Sequence, residues 1–307
     1  AQTWINENKY QEAYAYAVKV IADGHYPLAS DYREIFLADN NTCKEIIWPL
    51  VQDGLRAQSS AGTNFYVKAF VNGPMDELYK TGVGSRGWGN VRAKVSLVDA
   101  FDADDVMFDG NDTWGNNKKD KRAQFMTALP NQVKDTWDVN MDMTSTFTCG
   151  YGYIKWRNVT KEDELCPSGD AYTSIDFPLF RTADAYLMAA EAILRGANGT
   201  QSEALGYVNE VRTRAYMSGK YAKNGVRSDV SGEITANELN LDFLLVERQK
   251  ELASELTRRT DLIRFGKYTK GNNWDWKNGV RLGADVDDKY NLFPIPESEL
   301  TNNPTLV

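Results

Sequence analysis

One histidine, His25, serves all 307 residues, and that scarcity narrows the chemistry at once. A Ser-His-Asp or Cys-His triad would have to run through it, since both need an imidazole base. His25 lies in Gly24-His25-Tyr26-Pro27, a turn after a helical stretch, where a helix-ending cation is a common structural choice. Cysteine is nearly as scarce. Cys43, Cys149 and Cys166 are widely separated and form no CxxC pair, which argues against a zinc knuckle or a thioredoxin-like site. Three thiols build no disulfide framework either, and are expected as buried or half-buried free side chains, with at most one chance bridge. No run approaches the roughly 18 apolar residues of a membrane span. Nor is there a Lys/Arg-rich run: 35 basic residues against 43 acidic ones leave a net charge of −8. Nucleic acid and anionic lipid demand a concentrated basic surface, so neither is the expected partner. The opening Ala1-Gln2-Thr3-Trp4 has neither the basic flank nor the apolar run of a secretion signal. Any such signal is expected upstream or already removed, and the close at Asn303-Pro304-Thr305-Leu306-Val307 reads as cut short. A neutral ligand or another protein remains.

What the chain has in quantity is aromatic residues, 12% of the total with 8 Trp and 16 Tyr, several of them in Gly- and Asn-rich loops. Helical periodicity brackets those loops. Over 10–22, Tyr10, Ala13, Tyr14, Ala17, Val18 and Ile21 share one stripe, and Gly24 stands at the stop position. Over 183–195, Ala183, Tyr186, Leu187, Ala190 and Leu194 share a face, with Thr182 as the expected cap and Gly196 and Gly199 at the end. A short loop leads to a helix with Ala204, Tyr207, Val208, Val211 and Ala215 in register, so the two form an antiparallel hairpin of tetratricopeptide type. Thr235-Ala236-Asn237-Glu238 has the pattern of a capping box opening a long helix over 236–256. On it Glu247, Glu251 and Glu255 line up four apart and repel unless bases from elsewhere meet them. Between these blocks, 51–175 lose helical periodicity, apart from a helix expected near 92–101. A long irregular stretch rich in aromatics reads as ordered and functional.

Several constellations there could carry chemistry. Gly82-Val83-Gly84-Ser85-Arg86-Gly87 satisfies GxGxxG, yet Glu77-Leu78-Tyr79-Lys80-Thr81 is no buried apolar strand and no βαβ alternation follows. The glycines suit a tight loop that presents Trp88, a large ring that is either buried in a distant core or displayed to a ligand. Asp99, Asp102, Asp104, Asp105, Asp109 and Asp112 offer carboxylate pairs, but acidic turns read as solvated loops or an incidental calcium seat. The EF-hand pattern fails because Trp114 takes the place of the needed glycine. Neutral sugars present C–H faces that pack on rings and hydroxyls that bond to polar side chains. Asn64-Phe65-Tyr66, Arg86-Gly87-Trp88 and Tyr151-Gly152-Tyr153 mix both kinds, with a purely structural role for the rings as the alternative.

Four ordered motifs then resemble the SusD/RagB family. Arg181-Thr182-Ala183-Asp184-Ala185-Tyr186-Leu187-Met188-Ala189-Ala190-Glu191-Ala192, followed by Val208-Asn209-Glu210-Val211-Arg212-Thr213-Arg214-Ala215, is similar to the family's fourth tetratricopeptide hairpin. Glu247 to Glu255 and Arg258 to Gly266 resemble its C-terminal signature, and Phe293-Pro294-Ile295-Pro296 with Asn303-Pro304 its closing segment. The middle looks most similar to the family's starch-binding member, through Ile46-Ile47-Trp48-Pro49-Leu50-Val51-Gln52-Asp53-Gly54 and Trp274-Asp275-Trp276-Lys277-Asn278-Gly279. That member cradles helical amylose in an arc of aromatics, one of which Trp88 matches. A second falls near Ser59 or Ser60, which cannot stack, leaving Phe65 or Tyr66 to compensate.

The resemblance implies a mainly α fold of incomplete tetratricopeptide hairpins with a long loop-rich region, the family's N-terminal part being absent. Within one folded unit we expect a helical part at 1–50, a glycan-binding region at 51–175, and a hairpin with C-terminal helix and closing segment at 176–307. The expected carbohydrate contacts are Trp88, Arg86, Asn64, Phe65 and Tyr66, with no catalytic residue, no resident metal and no cofactor; calcium has no supporting motif. The signature Glu and Arg residues of 247–264 are expected as scaffold salt bridges. The implied role is cell-surface glycan capture, of starch or another α-glucan, on the outer membrane of a Bacteroidetes-type bacterium. The implied partner is a SusC-like TonB-dependent transporter, with a lipid anchor outside this chain as the only membrane link. A peptide-binding scaffold, or a member for another glycan, are the alternatives.

Overall fold

The computed structural model describes residues 1–56, 58, 60, 62–71, 80–106, 118–126, 151–217, 230–271, 274, 280, 283–303 and 305. Expectations for Ser59, 77–79, Asp109, Asp112, Trp114, Cys149, 275–279 and Pro304 lie outside these residues. The chain forms two units, Ala1–Glu255 and Leu256–Val307.

In the first unit, α1 (Gln2–Asn6) and α2 (Tyr10–Asp23) open the fold, and Gly24 closes α2 at φ +70. The left-handed turn suits glycine because a side chain there would crowd its own backbone. The helices α4 (Thr182–Leu194) and α5 (Gln201–Met217) form the expected hairpin. α4 is the central rod: eleven of its thirteen residues are buried, including Ala183, Ala185, Ala189, Ala190 and Ala192. Its small side chains admit neighbours on two faces. Ala189 and Ala192 meet Ala13 and Ala17 of α2, while Leu187, Ala190 and Ile193 meet Ala204, Val208 and Val211 of α5. Thr182 does not cap α4; its hydroxyl donates to the Tyr26 carbonyl at 2.6 Å, because the helix starts directly from an extended strand. Thr200 and Glu203 form a reciprocal box at the start of α5, with Thr200 N to Glu203 Oε2 at 2.7 Å and Glu203 N to Thr200 Oγ1 at 3.1 Å.

The helix expected over 236–256 is shorter. It runs as α6, Leu241–Leu252, and is capped by Asn240, whose Oδ1 accepts from Phe243 N at 2.9 Å. The Thr235–Glu238 box exists, but it closes a separate turn upstream of the helix. Likewise the helix expected near 92–101 is a single turn, Val95–Val98.

Among the described residues the strands are few. β1 (Ile46–Leu50) pairs antiparallel with β4 (Phe177–Arg181), and the two-residue β2 (Phe125–Met126) pairs with β3 (Gly152–Tyr153). Around them the loop-rich region has its own aromatic core, in which Trp156 lies parallel to Phe177 at 5.5 Å and edge-on to Phe36 at 4.9 Å. Tyr151 and Tyr153 belong to a second core with Phe101 and Phe125. Their rings are therefore structural and present nothing to a ligand.

Glu247 and Glu251 of α6, and Glu255 just past its end, meet their bases in a buried seam. Arg122 joins Glu247 at 2.6 Å and Glu251 at 3.1 Å, Arg212 joins Glu247 at 2.5 Å, and Arg181 reaches Glu45 and Glu251 at 2.7 Å each and Glu255 at 2.7 Å. Arg214 pairs with Glu45 at 2.9 Å and with Glu251, and Lys155 with Glu255 at 2.5 Å. Burial alone would raise the Glu251 carboxyl, but Arg214, Arg181 and Arg122 outweigh it and hold it far below the usual range. Burial lowers Lys155 to about 8, partly countered by Glu255. The seam ties the loop after α2, the loop region, β4, α5 and α6 together.

In the second unit, α7 (Arg258–Arg264) holds an Arg264–Asp261 pair at 2.7 Å, and Trp274 Nε1 donates to Tyr268 O at 2.7 Å. The guanidinium of Arg259 lies 4.0 Å from the Phe293 ring centre, and α8 (Glu297–Asn302) follows. No described helix is long and apolar enough to cross a membrane.

Candidate functional site

A short helix, α3 (Thr63–Lys68), divides its residues sharply between two tasks. Thr63, Asn64 and Lys68 face inward and brace the segment 171–175. Thr63 Oγ1 donates to Ile175 O at 2.8 Å, Asn64 Oδ1 accepts from Thr173 N at 3.1 Å, and Lys68 Nζ donates to Ala171 O. Phe65 faces outward and is 43% exposed. Tyr66 takes the middle course, with its ring stacked on Trp156 at 5.3 Å and a hydroxyl that burial pushes above its ordinary pKa.

The second element is the glycine loop. Gly82 (φ +77) runs so close to Asn158 that a Cβ would sit 2.5 Å from its carbonyl oxygen. Gly84 (φ +53) begins a 3-10 turn ending at Arg86. The loop then docks on the end of α3: Trp88 N donates to Lys68 O at 2.8 Å, Gly89 N to Val71 O at 2.8 Å, and Asn90 N to Ala69 O at 3.0 Å. These bonds fix Trp88 beside Phe65, ring centres 6.3 Å apart and tilted 59°. Trp88 is 44% exposed, so its ring is not buried in a distant core.

Of the five expected contacts, Trp88 and Phe65 meet at the surface, and Arg86 is exposed two residues before Trp88. Asn64 does not join them. It is 2% exposed and its side chain holds Thr173, so a ligand could reach it only by dismantling that brace. Tyr66 contributes to the core first and offers only part of its ring. One residue escaped the sequence argument: Asp170, which accepts from Arg86 Nε at 3.0 Å. Its setting, Ser168-Gly169-Asp170-Ala171-Tyr172, carries the same mixture of glycine, polar and aromatic residues that drew attention to the Trp88 loop.

Other candidates resolve elsewhere. His25 is exposed and pairs with Asp23 at 2.7 Å on the turn after α2. Cys43 and Cys166 are free thiols, and burial pushes Cys43 up to about 12, far from a reactive thiolate. Asp105 is no solvated turn residue. It is buried and accepts from Lys119 N at 2.7 Å and Asp120 N at 3.0 Å, and burial raises its pKa.

The sequence profile of the SusD family matches residues 44–307. The starch-binding protein SusD of Bacteroides thetaiotaomicron is 31% identical over 99% of this chain and 56% of its own length. The SusD-like protein P25 of Formosa agariphila is 25% identical over 100% of this chain and 56% of its own. The chain thus spans little more than half of these relatives. Among solved structures, surface glycan-binding protein A from Bacteroides thetaiotaomicron, in complex with laminarihexaose, superposes with a TM-score of 0.65 at 22% identity, covering 99% of this chain and 61% of that one. A SusD-like protein from Bacteroides fragilis matches with a TM-score of 0.65 at 20% identity, over 99% and 62%. Likeness at that identity shows a shared fold.

Proposed function

The chain belongs to the SusD family, and on that premise we propose that it captures oligo- or polysaccharide by binding alone, with no catalytic residue and no cofactor. The observation that carries this is the Phe65–Trp88 pair, two exposed rings held rigidly by backbone hydrogen bonds and buried braces. Rigid exposed aromatics cost little entropy on binding, and sugar C–H faces are their natural complement. A tilt of 59° suits a chain that curves across two rings more than one lying flat on both. That favours an α-glucan such as starch, in keeping with the name of the 31%-identical relative.

An open site of this kind binds a single chain weakly, with Kd about 1 mM. A long polymer, or tethering beside a transporter, raises the effective affinity without new contacts. We place the protein on the outer-membrane surface, its hairpin of tetratricopeptide type, delivering glycan to a SusC-like TonB-dependent transporter and anchored by lipid outside this chain. Electrophoresis through gels containing amylopectin, pullulan or laminarin tests the function. Retardation on amylopectin and pullulan is expected. Equal mobility on every gel would reject glycan capture and favour a scaffold for peptides.

A further inference from the structure

The ion pair between Arg86 and Asp170 is exposed, with 57% and 38% of the two side chains open to solvent. Exposed pairs add little to the stability of a fold. The surroundings nevertheless hold this one in a fixed place. Gly84 lacks a Cβ where one would stand 2.8 Å from Asp170 Oδ2, so the carboxylate can lie against the loop. The backbone on either side is tied down by Asn158 Nδ2 to Gly169 O at 2.9 Å, Lys68 Nζ to Ala171 O, and Thr173 N to Asn64 Oδ1 at 3.1 Å. Two of those three ties come from α3, the helix that displays Phe65, and Arg86 stands two residues before Trp88.

The pair is also only singly engaged. Arg86 uses Nε and Asp170 uses Oδ1; the terminal guanidinium nitrogens and Oδ2 make no hydrogen bond among the described residues. A sugar hydroxyl both donates and accepts, so two neighbouring hydroxyls are satisfied by one cationic donor beside one anionic acceptor. Stacking on any one ring reads little of the linkage, because every pyranose has a C–H face, and the tilt between two rings selects only the curvature of the chain. We propose that Arg86 and Asp170 are the polar half of the glycan site and determine which glycosidic linkage it accepts. This rests on the glycan-capture function proposed above.

The test compares Asp170→Ala, Asp170→Asn and Arg86→Ala with the unaltered chain on amylopectin, pullulan and laminarin gels, alongside thermal melts. Expected is a roughly tenfold loss of affinity for the preferred polymer in both alanine variants, the size of one charge-assisted hydrogen bond. The ratio between polymers should change and the melting point should not. Asp170→Asn, which keeps an acceptor oxygen, should recover part of the loss. Unchanged retardation overturns the proposal. So does weakening by one common factor on all three polymers, since that would mean the pair merely steadies the Trp88 loop. Failure of the unaltered chain to bind any gel rejects glycan capture itself and the clamp with it; retention of the unaltered chain with indifferent variants rejects the clamp alone.

Discussion

The seam around α6 and the face at Phe65 and Trp88 spend their residues in opposite ways. In the seam, Glu45, Glu247, Glu251 and Glu255 are buried with Arg122, Arg181, Arg212 and Arg214, every charge answered by another. On the face, two large rings remain in solvent, where burial would have stabilised the fold. Buried charges are costly to desolvate and gain little over apolar packing, so their value lies in fixing one arrangement of five segments. Exposed rings contribute little to the fold and stay free to meet a ligand. The seam specifies the structure; the face is available to function.

The largest expected effect is on the seam. Glu251→Ala removes the carboxylate that Arg122, Arg181 and Arg214 share. Each guanidinium keeps a second carboxylate, at Glu247, Glu45 or Glu255, but the buried network is left one negative charge short, which costs about 3–5 kcal/mol. Urea unfolding followed by circular dichroism should show that loss, and a variant within experimental error of the parent would refute the account of the seam.

Acid should act next. The Glu251 carboxyl is held below the usual 4.5 in the folded chain, so the unfolded chain takes up its proton first as pH drops. Its contribution is complete above about pH 4.5 and is lost progressively below that. Lys155, lowered to about 8 from 10.5, works the other way: above pH 8 the unfolded chain holds a proton that the folded chain has released. Stability from Lys155 therefore rises with pH between about 8 and 10. Urea midpoints across pH 3 to 10 check both limbs, and Lys155→Met should flatten the alkaline one.

Gly82→Ala probes the joint between the two regions. Positive φ and a Cβ 2.5 Å from Asn158 O would cost about 1–3 kcal/mol and shift the loop that carries Trp88. Both stability and glycan retention should fall. Asn64→Ala is milder, since it leaves the Thr173 N–H unpaired at about 1 kcal/mol, with retention reduced only through the brace. If Asn64→Ala abolished retention while leaving the melt intact, Asn64 would be a ligand contact after all.

The two regions were not equally legible in the sequence. Periodicity read α2, α4 and α5 correctly, because their apolar stripes repeat over many residues, and the four-residue spacing of Glu247, Glu251 and Glu255 foretold distant bases. Local signals misled where tertiary contacts outbid them. Thr182 gave its hydroxyl to Tyr26 instead of capping, and Thr235–Glu238 closed a turn while Asn240 capped the helix. In the loops, composition marked Trp88 and Phe65 but could not separate them from Tyr151 and Tyr153, which are equally aromatic and fully enclosed. Only packing against Phe101 and Phe125 distinguishes the two sets, and no short-range pattern encodes it. Asp170 lay far along the chain from Arg86, a separation that composition alone does not bridge.

The most direct test pairs two readouts on Trp88→Ala, which has the smallest expected effect on stability. The side chain is 44% exposed and its backbone N–H bond to Lys68 survives the substitution. The account predicts a melting point matching the parent's, together with loss of retardation on amylopectin gels. Full retardation in Trp88→Ala, or a melting point that falls with it, would show that the exposed face belongs to the scaffold and not to the ligand.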